Sequence, residues 1–260
     1  MSSSFEQALS ERRAADHADF LLPHLGDGSL VLDIGCGDGT ITLGLAETAG
    51  RVVGVDRDED FAEASCWAAQ HELENVEFRI GNVYALEFPP DQFDSCLCHS
   101  MLEMLDRPLD ALLEIKRVLK PGGVVGVACV EYGGLILAGP EEELLRRFYT
   151  VREQVWLLEH AADPYRGRRL RRLLEAAGFE RVVATSKYWS YGTAEAVESF
   201  GRDRAEDCGE GWYATSARRH GLTTARDLEA MRRAWLEWST SPEAFLSFAW
   251  CRALGWKPGP

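Results

Sequence analysis

Asp33, Gly35, Gly37 and Gly39 stand at alternate positions in the run Val31-Leu32-Asp33-Ile34-Gly35-Cys36-Gly37-Asp38-Gly39-Thr40. An acid in an apolar run, followed by glycines, suits a small polar ligand held against main chain. Glycine lets the backbone turn sharply and lets a ligand touch it with no Cβ in the way. Two more polar residues extend the set. Asp56 follows Val52-Val53-Gly54-Val55, and a carboxylate there can accept hydrogen bonds from two vicinal ribose hydroxyls, with charge assistance. Asn82-Val83 follows Val76 to Ile80; an amide meets a base edge as both donor and acceptor, while its apolar neighbour flanks the ring. The chemistry implied is binding of a nucleoside-bearing ligand. The dinucleotide fingerprint Gly-x-Gly-x-x-Gly is not met, because Thr40 holds its third position and Gly39 comes one residue early. Asp33 and Asp38 also bring negative charge where a pyrophosphate would lie. The expected ligand is therefore cationic, carrying a sulfonium and an amino group rather than two phosphates.

These residues need a sheet edge to bring them together. Leu30 to Ile34 reads as a short buried strand, and from Thr40 the pattern turns helical, with Ile41 and Leu45 on one face and Gly50 as a stop. Further strands are expected at 52–55, 76–80, 93–98 and 124–130. Between them lie a helix capped by Asp58 that runs to about His71 and one that starts at Pro108. Alternating strands and helices imply a parallel α/β sheet covered on both faces, with ligands at the carboxyl ends of the strands. Residues 5–22 read as an amphipathic helix. Lys120-Pro121-Gly122-Gly123 and Glu131-Tyr132-Gly133-Gly134 read as a turn and a loop. Helices are expected over 141–160, 168–177 and much of 193–239, with strands over 182–189 and near 245–254.

The chain has 260 residues and a formal charge of −14, which disfavours nucleic acid or an anionic membrane surface as partner. The seven cysteines lack metal-type spacing, apart from the CxC pair Cys96 and Cys98. Buried free thiols in a reducing cytosol are expected and no metal site is. No leader and no membrane span is legible, so a cytoplasmic protein is expected.

Val31 to Thr40, Asp56, Gly81-Asn82-Val83, Phe93-Asp94 and Leu119-Lys120-Pro121-Gly122-Gly123 resemble the ordered motifs of class I S-adenosylmethionine-dependent methyltransferases. Phe20-Leu21-Leu22-Pro23-His24-Leu25, Glu131-Tyr132-Gly133-Gly134 and Arg166-Gly167-Arg168-Arg169-Leu170 narrow the resemblance to the small-molecule branch of the ubiquinone and menaquinone C-methyltransferases. The resemblance implies a Rossmann-like seven-stranded sheet, mostly parallel with the last strand antiparallel, under a helical cap. It implies S-adenosyl-L-methionine as cofactor. Asp33, Gly35 and Gly37 would line its methionine part, with Cys36 beside them. Asp56 would hold the ribose, with Arg57 beside it, and Asn82 and Val83 would meet the adenine. His99 and Ser100 would border the sulfonium end. Asn82 stands where the family more often has an acid, and Glu103-Met104 where this branch often has Gln-His.

The organisation expected is an N-terminal cap helix over 1–24, a cofactor-binding core over 25–133 and a helical insertion over 134–165. A core continuation over 166–192, a helical lid over 193–243 and a final strand and tail over 244–260 complete it. His17, Glu131 and Tyr132 are the catalytic candidates, since each should overhang the sheet's ligand edge. Arg13, Phe20, Tyr188, Tyr191, Trp212 and Tyr213 are the candidates for the substrate pocket. The expected reaction is in-line transfer of a methyl group to a small apolar or aromatic acceptor of secondary-metabolite type, driven mainly by proximity. A non-methylating cyclisation or rearrangement on the same cofactor is the alternative, ahead of a nicotinamide-dependent oxidoreductase and a non-catalytic interaction protein. A homodimer is compatible with the sequence, the N-terminal helix covering its own site or a neighbour's.

Overall fold

The computed structural model describes residues 12–57 and 61–259. Seven strands form one sheet in the order β3-β2-β1-β4-β5-β7-β6. They are β1 (Leu30–Ile34), β2 (Arg51–Asp56), β3 (Val76–Ile80), β4 (Phe93–His99), β5 (Leu119–Ala138), β6 (Glu180–Tyr191) and β7 (Phe245–Trp256). All neighbouring pairs from β3 to β5 are parallel, and β7 runs antiparallel to both β5 and β6. The first five strands therefore end on one edge of the sheet.

Strand periodicity divides the core between the two faces. Val31, Leu97, Val124 and Leu254 pack on one face, and their chain neighbours Leu32, Cys96, Cys98, Val125 and Ala253 on the other. The first face is covered by α1 (Ala14–His17) with the segment after it, and by α2 (Thr40–Ala46). α3 (Ala62–Gln70) packs beside α2. The second is covered by α4 (Pro108–Val118) and α6 (Leu170–Ala176). A separate cluster joins α5 (Glu142–His160), α7 (Ala194–Asp207), α8 (Trp212–Arg219) and α9 (Ala225–Trp238), with Phe148, Tyr213, Trp235 and Trp238 fully buried in it.

Several expectations are corrected. The N-terminal helix has only one described turn, Ala14–His17, which gives way to turns up to His24; residues 5–11, and the Asp58 cap, lie outside the described residues. β5 is continuous over 20 residues, running through both the Lys120-Gly123 turn and the Glu131-Gly134 loop. Its ladder with β7 carries a register shift between Glu131 and Ile136 and then resumes. Apolar Leu137 finds Leu246 across the ladder, which continues the sheet, while Gly134 absorbs the irregularity: a Cβ there would lie 2.5 Å from the Cβ of Ala249.

Residues 12–25 form a strap seated on the sheet of their own chain. A Cβ on Gly126 would meet Phe20 and Leu21 of this strap at 3.1 and 3.3 Å, so glycine in β5 admits it. Asp19 ties it down, accepting from Lys187 of β6 at 3.2 Å and Arg252 of β7 at 2.6 Å.

Candidate active site

The glycine turn leaves β1 with positive φ angles on three alternate residues, 72° at Gly35, 56° at Gly37 and 85° at Gly39. At Gly39 a Cβ would also lie 2.6 Å from the Phe78 ring, so the turn needs glycine there twice over. Asp56 closes the turn from the end of β2: its Oδ2 accepts from the Gly37 N–H at 2.8 Å and its Oδ1 from the Arg57 N–H at 2.6 Å. Asp38 accepts from Thr40 N and Oγ1 at 3.2 and 3.0 Å and so fills the helix entrance that a phosphate would need. Asp33 is buried, with Thr42 Oγ1 donating to it at 2.7 Å. Burial pushes its pKa up to about 6, against the pull of Thr42 and Arg12.

Beside this turn opens a cleft of about 850 Å³, bordered by Gly35, Asp56, Arg57, Asn82, Val83 and Ser100, with Met101, Met104 and the last residues of α5 opposite. A smaller space of about 240 Å³ continues past Arg12, Asp33, Cys36 and Gly37 to His99 and Ser100. Burial holds the Cys36 thiol up, away from thiolate character. Ser100 has a φ of 56°, a strained value for a non-glycine residue, and its Oγ donates to buried Glu103 at 3.1 Å. Burial raises the Glu103 pKa, and its Oε2 has no hydrogen-bond partner.

His99 forms the wall between this space and a small chamber of about 10 Å³, bounded by His17, Trp189, Trp250, Lys187 and Arg252. Its ring stacks on Trp250 at 4.7 Å, and His17 lies edge-on to it at 5.1 Å while packing on Trp189 at 4.7 Å. His99 is buried with Nδ1 unpartnered. Burial, then the positive charge of Arg12 and His17, pushes its pKa well down, which keeps the imidazole neutral.

A model of the family described as a methyltransferase domain matches residues 32–127, the stretch that carries the glycine turn, Asp56 and Asn82. The demethylmenaquinone methyltransferase of Lysinibacillus sphaericus is 32% identical over 184 residues, 64% of this chain and 76% of that protein. The chain belongs to the class I S-adenosylmethionine-dependent methyltransferases. An uncharacterised methyltransferase of Schizosaccharomyces pombe is 30% identical over 187 residues, 68% of this chain; the match spans 66% of that protein, just under two thirds. Among solved structures, the [4+2]-cyclase SpnF shares the fold at a TM-score of 0.61 and 21% identity, over 95% of this chain and 82% of that one.

The residues present fit the cofactor of this methyltransferase family. The two spaces are lined by four acids, Asp33, Asp56, Asp106 and Glu159, against two arginines, Arg12 and Arg57, and no lysine, a net negative set that suits a cation. A Cβ on Gly37 would meet nothing within 4 Å, so the main chain there stands open to a ligand. Asp56 and Asn82 lie on one cleft at the ends of adjacent strands. Asn82 is exposed, its Oδ1 turned to the Tyr84 N–H at 3.0 Å.

The structure separates the other sequence candidates. His17 reaches the chamber. Glu131 is buried but fully engaged: Arg168 pairs with it through its guanidinium, and the Arg168 and Gly133 N–H groups donate to it at 3.1 and 3.2 Å. Tyr132 stacks between Trp156 and Phe248, and burial raises its pKa. Tyr213 lies in the helical core and donates to the Phe148 carbonyl at 3.3 Å. Trp212 is half exposed and stacks on His160; Tyr191 packs on Phe200. Tyr188 and Arg13 are exposed, while Phe20 lies under the Arg252 guanidinium. The chamber residues that sequence reasoning passed over, Lys187, Trp250 and Arg252, lie on paired strands, with Lys187 opposite Trp250 and Arg252 two residues further along β7; Trp189, two residues from Lys187, falls within the Tyr188 to Tyr191 aromatic cluster that the sequence offers for a pocket. The signal was that spacing, legible only with the register in hand.

Proposed function

We propose that this methyltransferase transfers a methyl group to a small aromatic acceptor bound between the strap and the sheet, with His99 as proton acceptor. The observation that carries the reading is the position of His99. One buried imidazole with a free nitrogen borders both the cofactor space and the aromatic chamber.

Bound S-adenosylmethionine supplies a sulfonium-borne methyl whose leaving thioether departs neutral and needs no acid. Asp33, Gly35 and Gly37 hold the methionine part, Asp56 the ribose, and Asn82 with Val83 the base. Ser100, fixed by Glu103, sets the edge between cofactor and acceptor. The chamber of about 10 Å³ must widen to admit the acceptor ring, with His17 of the strap giving way; Trp189 and Trp250 then flank the ring, so that alignment, rather than covalent help, lowers the barrier. An acceptor bearing a hydroxyl must lose its proton as the new bond forms. The free nitrogen of neutral His99 takes it, leaving the oxygen lone pair for the methyl carbon.

The test is incubation with trideuteromethyl-labelled cofactor and a panel of phenols, catechols and hydroxybenzoates, read by mass spectrometry. The reading expects one deuterated methyl gained by an acceptor and an equal amount of S-adenosylhomocysteine released. Isomerised product of unchanged mass would favour the non-methylating chemistry, and neither product nor release with any acceptor would overturn the proposal.

A further inference from the structure

The chamber beneath the strap holds two cations as well as aromatic rings, and both come from the sheet. His99, Ala128 and Arg252 are register partners across β4, β5 and β7, so they stand in one row on one face. The first and last are two strand spacings apart, about 10 Å. Ala128, between them, fills the gap with a single methyl. Lys187 lies opposite Trp250, two residues along β7 from Arg252, on the same face.

A carboxylate bridges these cations. Asp19 Oδ1 accepts from Arg252 and Oδ2 from Lys187, and the Asp16 carbonyl accepts from Lys187 at 3.0 Å. Partial burial pushes the Asp19 carboxyl up, but the two cations hold it below its ordinary value. Asp16 and Asp19 both belong to the strap, whereas the two cations belong to the sheet.

Two buried polar atoms in this row lack hydrogen-bond partners: His99 Nδ1 and Arg252 Nε. Leaving such groups unsatisfied costs free energy, and a ligand that reaches both relieves it.

We propose that the acceptor is an aromatic carboxylate whose anionic group takes the place of Asp19 on Lys187 and Arg252, with its ring over Ala128 and its reacting end at His99. This rests on the methyltransferase reading above and names the acceptor's class. Asp19 is then an internal stand-in for the substrate: it closes the chamber when empty and competes with the anion for the same two donors. A carboxylate fits because a carboxylate already bridges the pair.

The test compares 4-hydroxybenzoate with its uncharged isostere 4-hydroxybenzamide, by calorimetry on the protein saturated with S-adenosylhomocysteine. The benzoate should bind at least about tenfold more tightly, as expected for a charge-assisted pair out of bulk water. Arg252→Met and Lys187→Met should each bring the two probes to near equality, and Arg252→Lys should keep part of the preference. Asp19→Asn should tighten the benzoate by a larger factor than the benzamide, because it removes the competing anion as well as the tether. That opposite sign is the diagnostic, since a merely structural ion pair predicts that Asp19→Asn and Arg252→Met act alike. Circular dichroism identifies any variant that fails to fold, and Asp19→Asn, altering a partly exposed side chain, keeps the test decisive. Equal binding of the two probes, no binding of either, or benzoate weakened by Asp19→Asn would overturn the proposal. Failure to bind S-adenosylhomocysteine would instead overturn the functional reading beneath it.

Discussion

Replacing Asp33 by asparagine separates what the fold wants from what the site wants. Asp33 is 2% exposed, and burial raises its pKa from 3.8 to about 6. A carboxyl whose folded pKa lies above its unfolded value binds its proton more tightly in the folded state. Its contribution to stability is fully present below pH 3.8 and is lost as pH rises towards 6. The interval corresponds to about 3 kcal/mol of stability surrendered at neutral pH. Asparagine is isosteric, keeps an acceptor for the Thr42 hydroxyl and carries no charge to desolvate. Asp33→Asn should therefore match the parent near pH 4 and exceed it by up to about 3 kcal/mol at pH 7, in urea unfolding at the two pH values. The same change removes a negative charge from the cationic cofactor's surroundings. Affinity for S-adenosylhomocysteine should fall by about 10- to 100-fold, the worth of one hydrogen bond to a charged group. A variant no more stable than the parent at pH 7, or one that binds with parental affinity, would refute the assignment of Asp33 as a carboxylate kept charged for its ligand.

Three other outcomes follow from the same geometry. Gly39→Ala forces a Cβ against Phe78 at a φ of 85° and should cost about 1–3 kcal/mol in thermal or urea unfolding. His99→Asn should lower the turnover number by about 10²- to 10⁴-fold and flatten the acid limb of its pH profile, while S-adenosylhomocysteine still binds within about threefold. Trp235→Ala empties the centre of the helical cluster and should destabilise by about 3–5 kcal/mol, with unfolding followed by circular dichroism.

The parts of this molecule legible in its sequence are those whose meaning is local. A five-residue apolar run, three glycines and a following helix announce the β1 turn without knowledge of anything distant. Asp56 and Asn82 each end a strand, and a parallel sheet gathers strand ends at one edge whatever its twist. Tyr213 and Trp189 show where locality stops. Both are large aromatics in the second half of the chain, but Tyr213 turns inward among helices while Trp189 turns onto the sheet face that the strap covers. Strand register decides which side of β6 a residue occupies, and register is set by pairing with β7, some 60 residues on. The chamber is more remote still: Asp19 meets Lys187 across 168 residues and Arg252 across 233. The long β5 was hidden for a similar reason. Proline and glycines read as turns in isolation, and only the partner strand β7 shows that they are irregularities in a continuous ladder.

Calorimetric titration of the protein with S-adenosylhomocysteine tests the central claim most directly, with Asp56→Ala as its companion. One molecule bound per chain by the parent, and affinity reduced by about 10- to 100-fold in the variant, is the expected result. No binding by the parent, or undiminished binding by Asp56→Ala, would contradict the placement of the cofactor at the ends of β1, β2 and β3.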